Sequence, residues 1–300
     1  MRTRFLLTAV SLVMLAACNE LQEAEETVGQ FPVAASVWGT VRTDNAPASR
    51  VANDVWETGD AIGISGKSGN VEYVNKQYDF SKGSSFIPAG EIIYYIGKKT
   101  VEFSAYHPFN EAGGELEINV SDQNESKSFD YLYAVAEGSE SAPLLDFKFR
   151  HKMCKVVLNF LPGSGFAEDA DFGNGIIRLA SLHASGTFDT ATGHAATDAG
   201  AGEGIEFIAG TTVVPDGNTY SLVLLPETVS GGVALSFVRE DGTVYEGAIL
   251  TSKESSDLTL TPGKVYEYNV TVNRERLTVS SSAIHGWDET PEDKDVNINI

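Results

Sequence analysis

The segment Val101-Glu102-Phe103-Ser104-Ala105-Tyr106 places apolar and polar side chains alternately, which is typical of a β-strand with one buried face. Similar runs recur at a spacing of about ten residues, with Gly, Pro, Asp and Asn between them. No segment keeps a helical period over three turns with a cap. The other predicted strands are 31–41, 61–64, 92–96, 117–120, 131–134, 147–160, 176–180, 220–225, 233–238, 244–250 and 265–272. The chain is therefore predicted to be all-β, built as β-sandwiches.

The amino-acid composition excludes some classes of protein. The 300 residues include 42 acidic and 21 basic side chains, giving a net charge of −21. This charge excludes a nucleic-acid binder, which needs a basic face, and electrostatic docking on anionic lipid. The 42% hydrophobic content is enough for packed cores, and the 29 glycines favour turns over long helices.

The N-terminus has the features of an export signal. Arg2 and Arg4 precede an apolar stretch, 5–15, that is too short to span a bilayer as a mature helix. The stretch ends in Leu15-Ala16-Ala17-Cys18, which resembles the lipobox of bacterial lipoproteins. Residues 1–17 are thus predicted to be a lipoprotein signal peptide, with the lipid carried by Cys18 at the outer membrane.

Residues 18–30 are predicted to form an acidic tether, because the run is rich in glutamate and lacks strand or turn signals. The same run resembles acidic signals that send some lipoproteins to the outer cell surface. A plain solvated linker and a surface-export signal are both consistent with it.

The polar stretch 137–143, which contains Gly138 and Pro143, is the predicted domain boundary. It divides the mature chain into an N-terminal β-sandwich domain, 31–141, and a C-terminal one, 142–300. Residues 189–203 are rich in Ala, Gly and Thr and are predicted to be a long loop within the second domain.

No catalytic residues, metal site or cofactor are predicted. The five histidines form no HExxH pattern, there is no GxSxG nucleophile elbow, and the Gly-Lys-Ser at 66–68 lacks the upstream glycine of a phosphate loop. Cys154 lies in a strand-like run and is expected to pack as a small buried hydrophobe. The acidic run 288–295 lacks calcium-loop spacing and is taken as a solvated loop. The chain is therefore not expected to be an enzyme.

Four segments together resemble fimbrillins, the subunits of type V pili. The stretch 56–64 (Trp-Glu-Thr-Gly-Asp-Ala-Ile-Gly-Ile) resembles the family element W-E-x-G-D-x-I-G-I. The stretch 103–109 resembles an aromatic strand that ends in a Tyr-x-Pro turn, and 149–156 resembles the strand that opens the second domain. The stretch 262–270, followed by 284–287, completes the order.

This resemblance implies two tandem transthyretin-like β-sandwich domains and a surface lipoprotein precursor. It also implies that an Arg-specific protease removes the first strand, 31–41, so that a strand from another pilus subunit can fill the groove. Arg42 and Arg50 are both candidate cleavage points, and Arg50 is preferred because it lies nearer the Trp56 element. The expected location is the cell outer membrane and then the fimbrium, with a role in adhesion to a host or bacterial surface ligand.

The last five residues are the candidate donor strand. Their alternation places Val296, Ile298 and Ile300 on one face. A chain-terminal strand that follows an acidic loop can leave its own domain. The alternative is that the strand pairs within its own domain.

A second interpretation is a surface lipoprotein whose β-sandwich binds glycans. In that case Trp38, Trp56 and Trp287 would stack on sugar rings, although core packing is expected for Trp56 and Trp287. A secreted hydrolase is a third interpretation, for which no carboxylate pair stands out.

Overall fold

The computed structural model describes residues 32–42, 55–252 and 255–287. Within them, regular structure consists of strands and one short 3-10 helix, Gln123–Ser128, so the all-β prediction is confirmed. The signal peptide, Cys18, Arg50 and the donor-strand residues Val296, Ile298 and Ile300 lie outside the described residues. The strands are β1 (Val33–Ala34), β2 (Ser36–Val41), β3 (Ala61–Ser68), β4 (Val71–Lys82), β5 (Ser85–Pro88), β6 (Tyr94–Tyr95), β7 (Val101–His107), β8 (Glu115–Asn119), β9 (Leu132–Gly138), β10 (Leu144–His151), β11 (Cys154–Pro162), β12 (Gly175–Leu179), β13 (Ser185–Asp189), β14 (His194–Thr197), β15 (Ile205–Ile208), β16 (Thr219–Leu224), β17 (Glu227–Val229), β18 (Val233–Arg239), β19 (Val244–Leu250), β20 (Leu258–Leu260), β21 (Lys264–Val272) and β22 (Leu277–Gly286).

The first group of strands closes into a barrel in the order β10-β2-β5-β4-β3-β7-β9. Pairing is antiparallel around the barrel except between β10 and β2, which run parallel. Alternate residues of each strand point inward, as the period of two requires. They form one core cluster that includes Val37, Phe86, Phe103 and Phe149, and Trp56, which precedes β3, belongs to the same cluster.

The second group contains two four-stranded sheets, β16-β11-β21-β22 and β15-β12-β18-β19. Both sheets contribute buried side chains to a second core cluster, for example Leu158 and Tyr268 from the first sheet and Phe237 from the second. β8, which precedes the predicted boundary, pairs with β13, the central strand of the sheet β14-β13-β8, and adds Leu116 and Ile118 to this cluster.

The chain passes from the barrel to the next sheet at 151–154, between β10 and β11, whereas the predicted boundary is 137–143. Ser139 and Ala142 exchange backbone hydrogen bonds of 3.0 and 3.1 Å in a turn that joins β9 to β10 of the same barrel. The predicted strand 147–160 is divided between β10 in the barrel and β11 in the next sheet. The number of separate domains stays a prediction. Residues 194–197 of the predicted loop 189–203 form strand β14, paired with β13.

Buried tyrosines predict a loss of stability at alkaline pH. Burial raises the pKa of Tyr95, Tyr131 and Tyr220 from 10.0 to about 12 each. The unfolded chain loses these protons near pH 10 while the folded chain keeps them, so stability should fall as the pH rises from 10 towards 12. Tyrosinate absorbance and circular dichroism, recorded together, should show these tyrosines ionising as the fold is lost. Their full ionisation near pH 10 in an intact fold would contradict this.

Candidate functional site

Strand β2 lies at the start of the described chain and is held on both sides within the barrel. Its residues pair in parallel with β10 from Ser36, opposite Leu144, to Val41, opposite Phe149. On the other side it pairs with β5 in the antiparallel sense. β2 is thus an internal strand of the barrel, paired with a neighbour on each side.

The side chains of β2 alternate between the core and the outer face. Val37 and Gly39 are buried, whereas Ser36 and Trp38 are exposed. Gly39 sits where the barrel leaves no room for a side chain. A Cβ atom there would lie 2.9 Å from ring atoms of both Phe149 and Phe86, too close without movement of the rings.

Trp56 contacts β2 from the interior of the barrel. Its indole N–H donates a hydrogen bond of 2.9 Å to the carbonyl oxygen of Gly39. Its ring makes edge contacts with Phe86 and Phe149, at centroid distances of 5.0 and 5.4 Å. Aromatic edge contacts of this kind add to the energy of burial. Three rings from three parts of the chain therefore converge on the middle of β2.

A cavity of about 350 Å³ adjoins the end of β2 and is lined in part by Trp56, His107, Asp130 and His151. His107 donates its Nδ1–H to the carbonyl oxygen of Ala61 at 2.9 Å, because a carbonyl oxygen can only accept. Burial lowers the pKa of His107, an effect opposed by that hydrogen bond and by the nearby carboxylates. His151 contacts Asp130 at 2.8 Å between Nδ1 and Oδ1. Both histidines are thus held by hydrogen bonds within the fold.

The predicted site residues fall partly within the described chain. Arg42 directly follows β2, is exposed, and donates its backbone N–H to Phe149 at 3.0 Å. Arg42 is thus still bonded to the barrel at its backbone. Arg50 lies outside the described residues.

The three tryptophans differ in exposure. Trp56 and Trp287 are 8% and 7% exposed, which confirms the core packing expected for them. Trp287 also stacks on His151, with ring centroids 4.1 Å apart. Trp38 is 49% exposed on the outer face of β2. Of the three, only Trp38 has a ring face open to a ligand.

The described residues offer little for catalysis. Cys154 is fully buried, and burial raises the pKa of its thiol well above the usual value. The protonated thiol therefore dominates, and this form is a poor nucleophile. No group of three or more His, Cys, Asp or Glu side chains in this part of the chain is arranged to hold a metal ion. Among the same residues, no helix has the length and apolar character to cross a membrane.

Comparisons with known proteins agree with the all-β architecture. A structure of a candidate cell-adhesion protein from Bacteroides ovatus superposes with a TM-score of 0.70 at 23% identity, over 86% of this chain and 99% of that chain. A second, from Bacteroides uniformis, gives a TM-score of 0.69 at 25% identity, over 85% of this chain and 99% of that chain.

Sequence comparison adds the family. The candidate fimbrium subunit Fim1C of Bacteroides uniformis is 26% identical over 293 residues, which are 93% of this chain and 92% of that protein. The family model described as fimbrillin-like matches residues 49–287. This match covers well over half of the chain, and the chain therefore belongs to the fimbrillin-like family.

Proposed function

We propose that this protein is the precursor of a fimbrial subunit that loses strand β2 by proteolysis and then assembles by strand exchange. The observation that carries the proposal is the position of β2. It is the first strand of the barrel along the described chain, lies between two other strands, and is followed at once by an arginine.

Removal of β2 would leave two unpaired strand edges, those of β10 and β5. It would also uncover an apolar groove that includes the side chains of Phe86, Phe147 and Phe149, all now buried. Exposed backbone edges and apolar surface both favour the addition of a new strand. The cut subunit would therefore be an acceptor for an extended segment of another subunit.

The proposed cleavage follows Arg50. The backbone N–H of Arg42 is bonded to Phe149, so a protease could bind there only after the end of β2 had come loose. The family match begins at residue 49, after β2, which agrees with a mature subunit that starts near Val51.

The proposed donor is the C-terminal segment. β22 ends at Gly286 and Trp287 follows, so in the sequence residues 288–300 come directly after this end of the second core. Val296, Ile298 and Ile300 would enter the groove of the next subunit. The lipid proposed on Cys18 would hold the precursor at the outer membrane until cleavage releases the remainder of the chain into the fimbrium.

The test is assembly in solution with and without an Arg-specific protease. The protease-treated protein should give ladders on a denaturing gel run without boiling, and mass spectrometry should find Val51 at its N-terminus. The untreated protein should stay monomeric. The matched variant Arg50→Lys keeps the charge but not the cleavage site, so it should remain intact and monomeric, whereas Arg42→Lys should still assemble. Assembled fibres whose subunits begin at Cys18 would overturn the proposal.

Glycan binding is the second candidate, because Trp38 is exposed on the outer face of β2. Trp38 would leave with β2, so a glycan site there would exist only in the uncut protein. Binding to a glycan array that Trp38→Ala abolishes, and that cleavage also abolishes, would support this function instead.

A further inference from the structure

The last described residue, Trp287, lies against the end of the barrel strand β10. Its ring stacks on that of His151, the last residue of β10, with ring centroids 4.1 Å apart and planes 4° from parallel. The ammonium group of Lys155, in β11, lies 5.6 Å from the centroid of the same Trp287 ring. The backbone N–H of Trp287 donates to the carbonyl oxygen of Gly263 at 2.8 Å. The point after which residues 288–300 continue the chain is therefore held beside the barrel.

His151 is itself anchored within the barrel. Its Nδ1–H donates to the Asp130 carboxylate at 2.8 Å, and the two side chains are 1% and 7% exposed. The backbone of His151 pairs with Leu132 of the next barrel strand, β9. The ring contact between Trp287 and His151 thus joins the C-terminal end of the described chain to a buried and bonded part of the barrel.

Without this contact, a pull on residues 288–300 would act on the end of β22. Gly286, the last residue of β22, lies opposite Lys264, the first residue of its antiparallel neighbour β21. β11, which continues the chain from β10, runs parallel to β21 and begins at this same end. A pull at Gly286 against the barrel would therefore break the β21–β22 hydrogen bonds one after another. Hydrogen bonds broken singly resist little, because each has only a modest net energy.

At the other end of the described chain, a pull enters the barrel through β2. β2 runs parallel to β10, and its first residue, Ser36, lies opposite Leu144, the first residue of β10. The chain before Ser36 pulls on this end of the pair, whereas Trp287 holds β10 at the opposite end, at His151. Tension between the two ends of the chain would slide β2 along β10, so that all the hydrogen bonds of this pair resist together.

We propose that Trp287, held by His151 and Lys155, is a mechanical clamp that passes tension from β2 and β10 directly to residues 288–300. With the clamp closed, β2 and β10 carry the tension in shear and β22 is not peeled from β21. The second core therefore stays folded while the chain is pulled from both ends, as a subunit within a fibre is. The inference rests on the proposed function in one respect, that residues 288–300 link the subunit to the next one.

The clamp is tested by pulling on single molecules of the uncut full-length chain, so the outcome does not depend on cleavage or assembly. One handle is attached to the unlipidated Cys18 thiol and the other is fused after Ile300. The second cysteine, Cys154, is fully buried and does not compete for the handle. Trp287→Ala should unfold about tenfold faster than the wild-type chain at the same force, because forced unfolding follows the unfolding rate and a buried aromatic contact is lost. Trp287→Phe keeps a ring on His151 and should unfold at close to the wild-type rate.

A second pulling direction distinguishes the clamp from a general effect on stability. With the second handle moved to Asp241→Cys, in the exposed turn between β18 and β19, the tension no longer passes through Trp287. In this direction Trp287→Ala should unfold at close to the wild-type rate. If Trp287→Ala does not fold, Trp287→Leu, which keeps apolar volume but has no ring, replaces it with the same expectations. An unchanged rate in the end-to-end direction, an equal acceleration in both directions, or a Trp287→Phe chain that unfolds as fast as Trp287→Ala would each overturn the proposal.

Discussion

Deletion of residues 296–300 is expected to leave a folded monomer that an Arg-specific protease still cuts but that can no longer extend a polymer. Full burial of a Val or Ile side chain contributes about 1.5–3 kcal/mol. Val296, Ile298 and Ile300 together would therefore supply several times that amount in a neighbour's groove, before ordering costs. The measurement is the gel ladder of the cut protein run without boiling.

Single substitutions distinguish the roles of the two faces of the donor strand. Ile298→Asp should prevent extension nearly as completely as the deletion, because it places an unpaired charge in an apolar groove. Asn299→Asp adds the same charge on the opposite face and should leave assembly close to normal. If residues 296–300 instead pair within their own domain, the deletion should lower the melting temperature of the uncut monomer. Assembly at the wild-type rate, with unchanged monomer stability, would rule out both roles.

The groove and the donor do not match at every position. The middle inward residue of β2 is Gly39, whereas the middle apolar residue of the donor is Ile298. In the same register Ile298 would meet the rings of Phe86 and Phe149, which lie 2.9 Å from a Cβ at Gly39. A side chain at this position would require these rings to shift, and both of them contact the ring of Trp56. Strand replacement should therefore change the fluorescence of Trp56.

Strand positions were largely predictable because burial follows the alternation of apolar residues. The predicted strand 101–106 corresponds to β7, and 244–250 to β19. The division of 147–160 was also present in the pattern but was missed. Odd-numbered residues are buried up to Met153, and even-numbered ones from Cys154 onward. This change of phase marks the point where the chain passes from one sheet to the next.

Other features depend on contacts between residues that are distant in the sequence, so neighbouring residues do not predict them. Gln123 is a polar residue in a polar stretch, and only the fold brings it to Val223, a hundred residues away. The constraint at Gly39 arises because Phe86 and Phe149 meet across β2. In the sequence, Gly39 is an ordinary glycine within a strand pattern. Both residues act through long-range packing, which no short motif encodes.

Phe149→Ala is expected to cause a large loss of stability in the barrel, about 3–5 kcal/mol, as is usual when a buried aromatic side chain is removed. Phe149 is fully buried, contacts the ring of Trp56 and lies against Gly39 of β2. Urea unfolding of the uncut protein measures the change. Lys148→Ala, one residue earlier on the outer face, loses an exposed ion pair with Asp146 and should cost less than about 1 kcal/mol.

The same substitution probes the proposed groove, because β10 stays in the subunit after β2 is removed. A donor strand seated against β10 would lose the contact with Phe149, so polymers of Phe149→Ala should dissociate at a lower temperature in denaturing buffer than polymers of Lys148→Ala. Where Phe149→Ala is too unstable to purify, Phe149→Leu tests the same contact with a smaller loss of volume. A variant that lowers the stability of the uncut chain but leaves the dissociation temperature of the polymer unchanged would show that the donor does not occupy the place of β2.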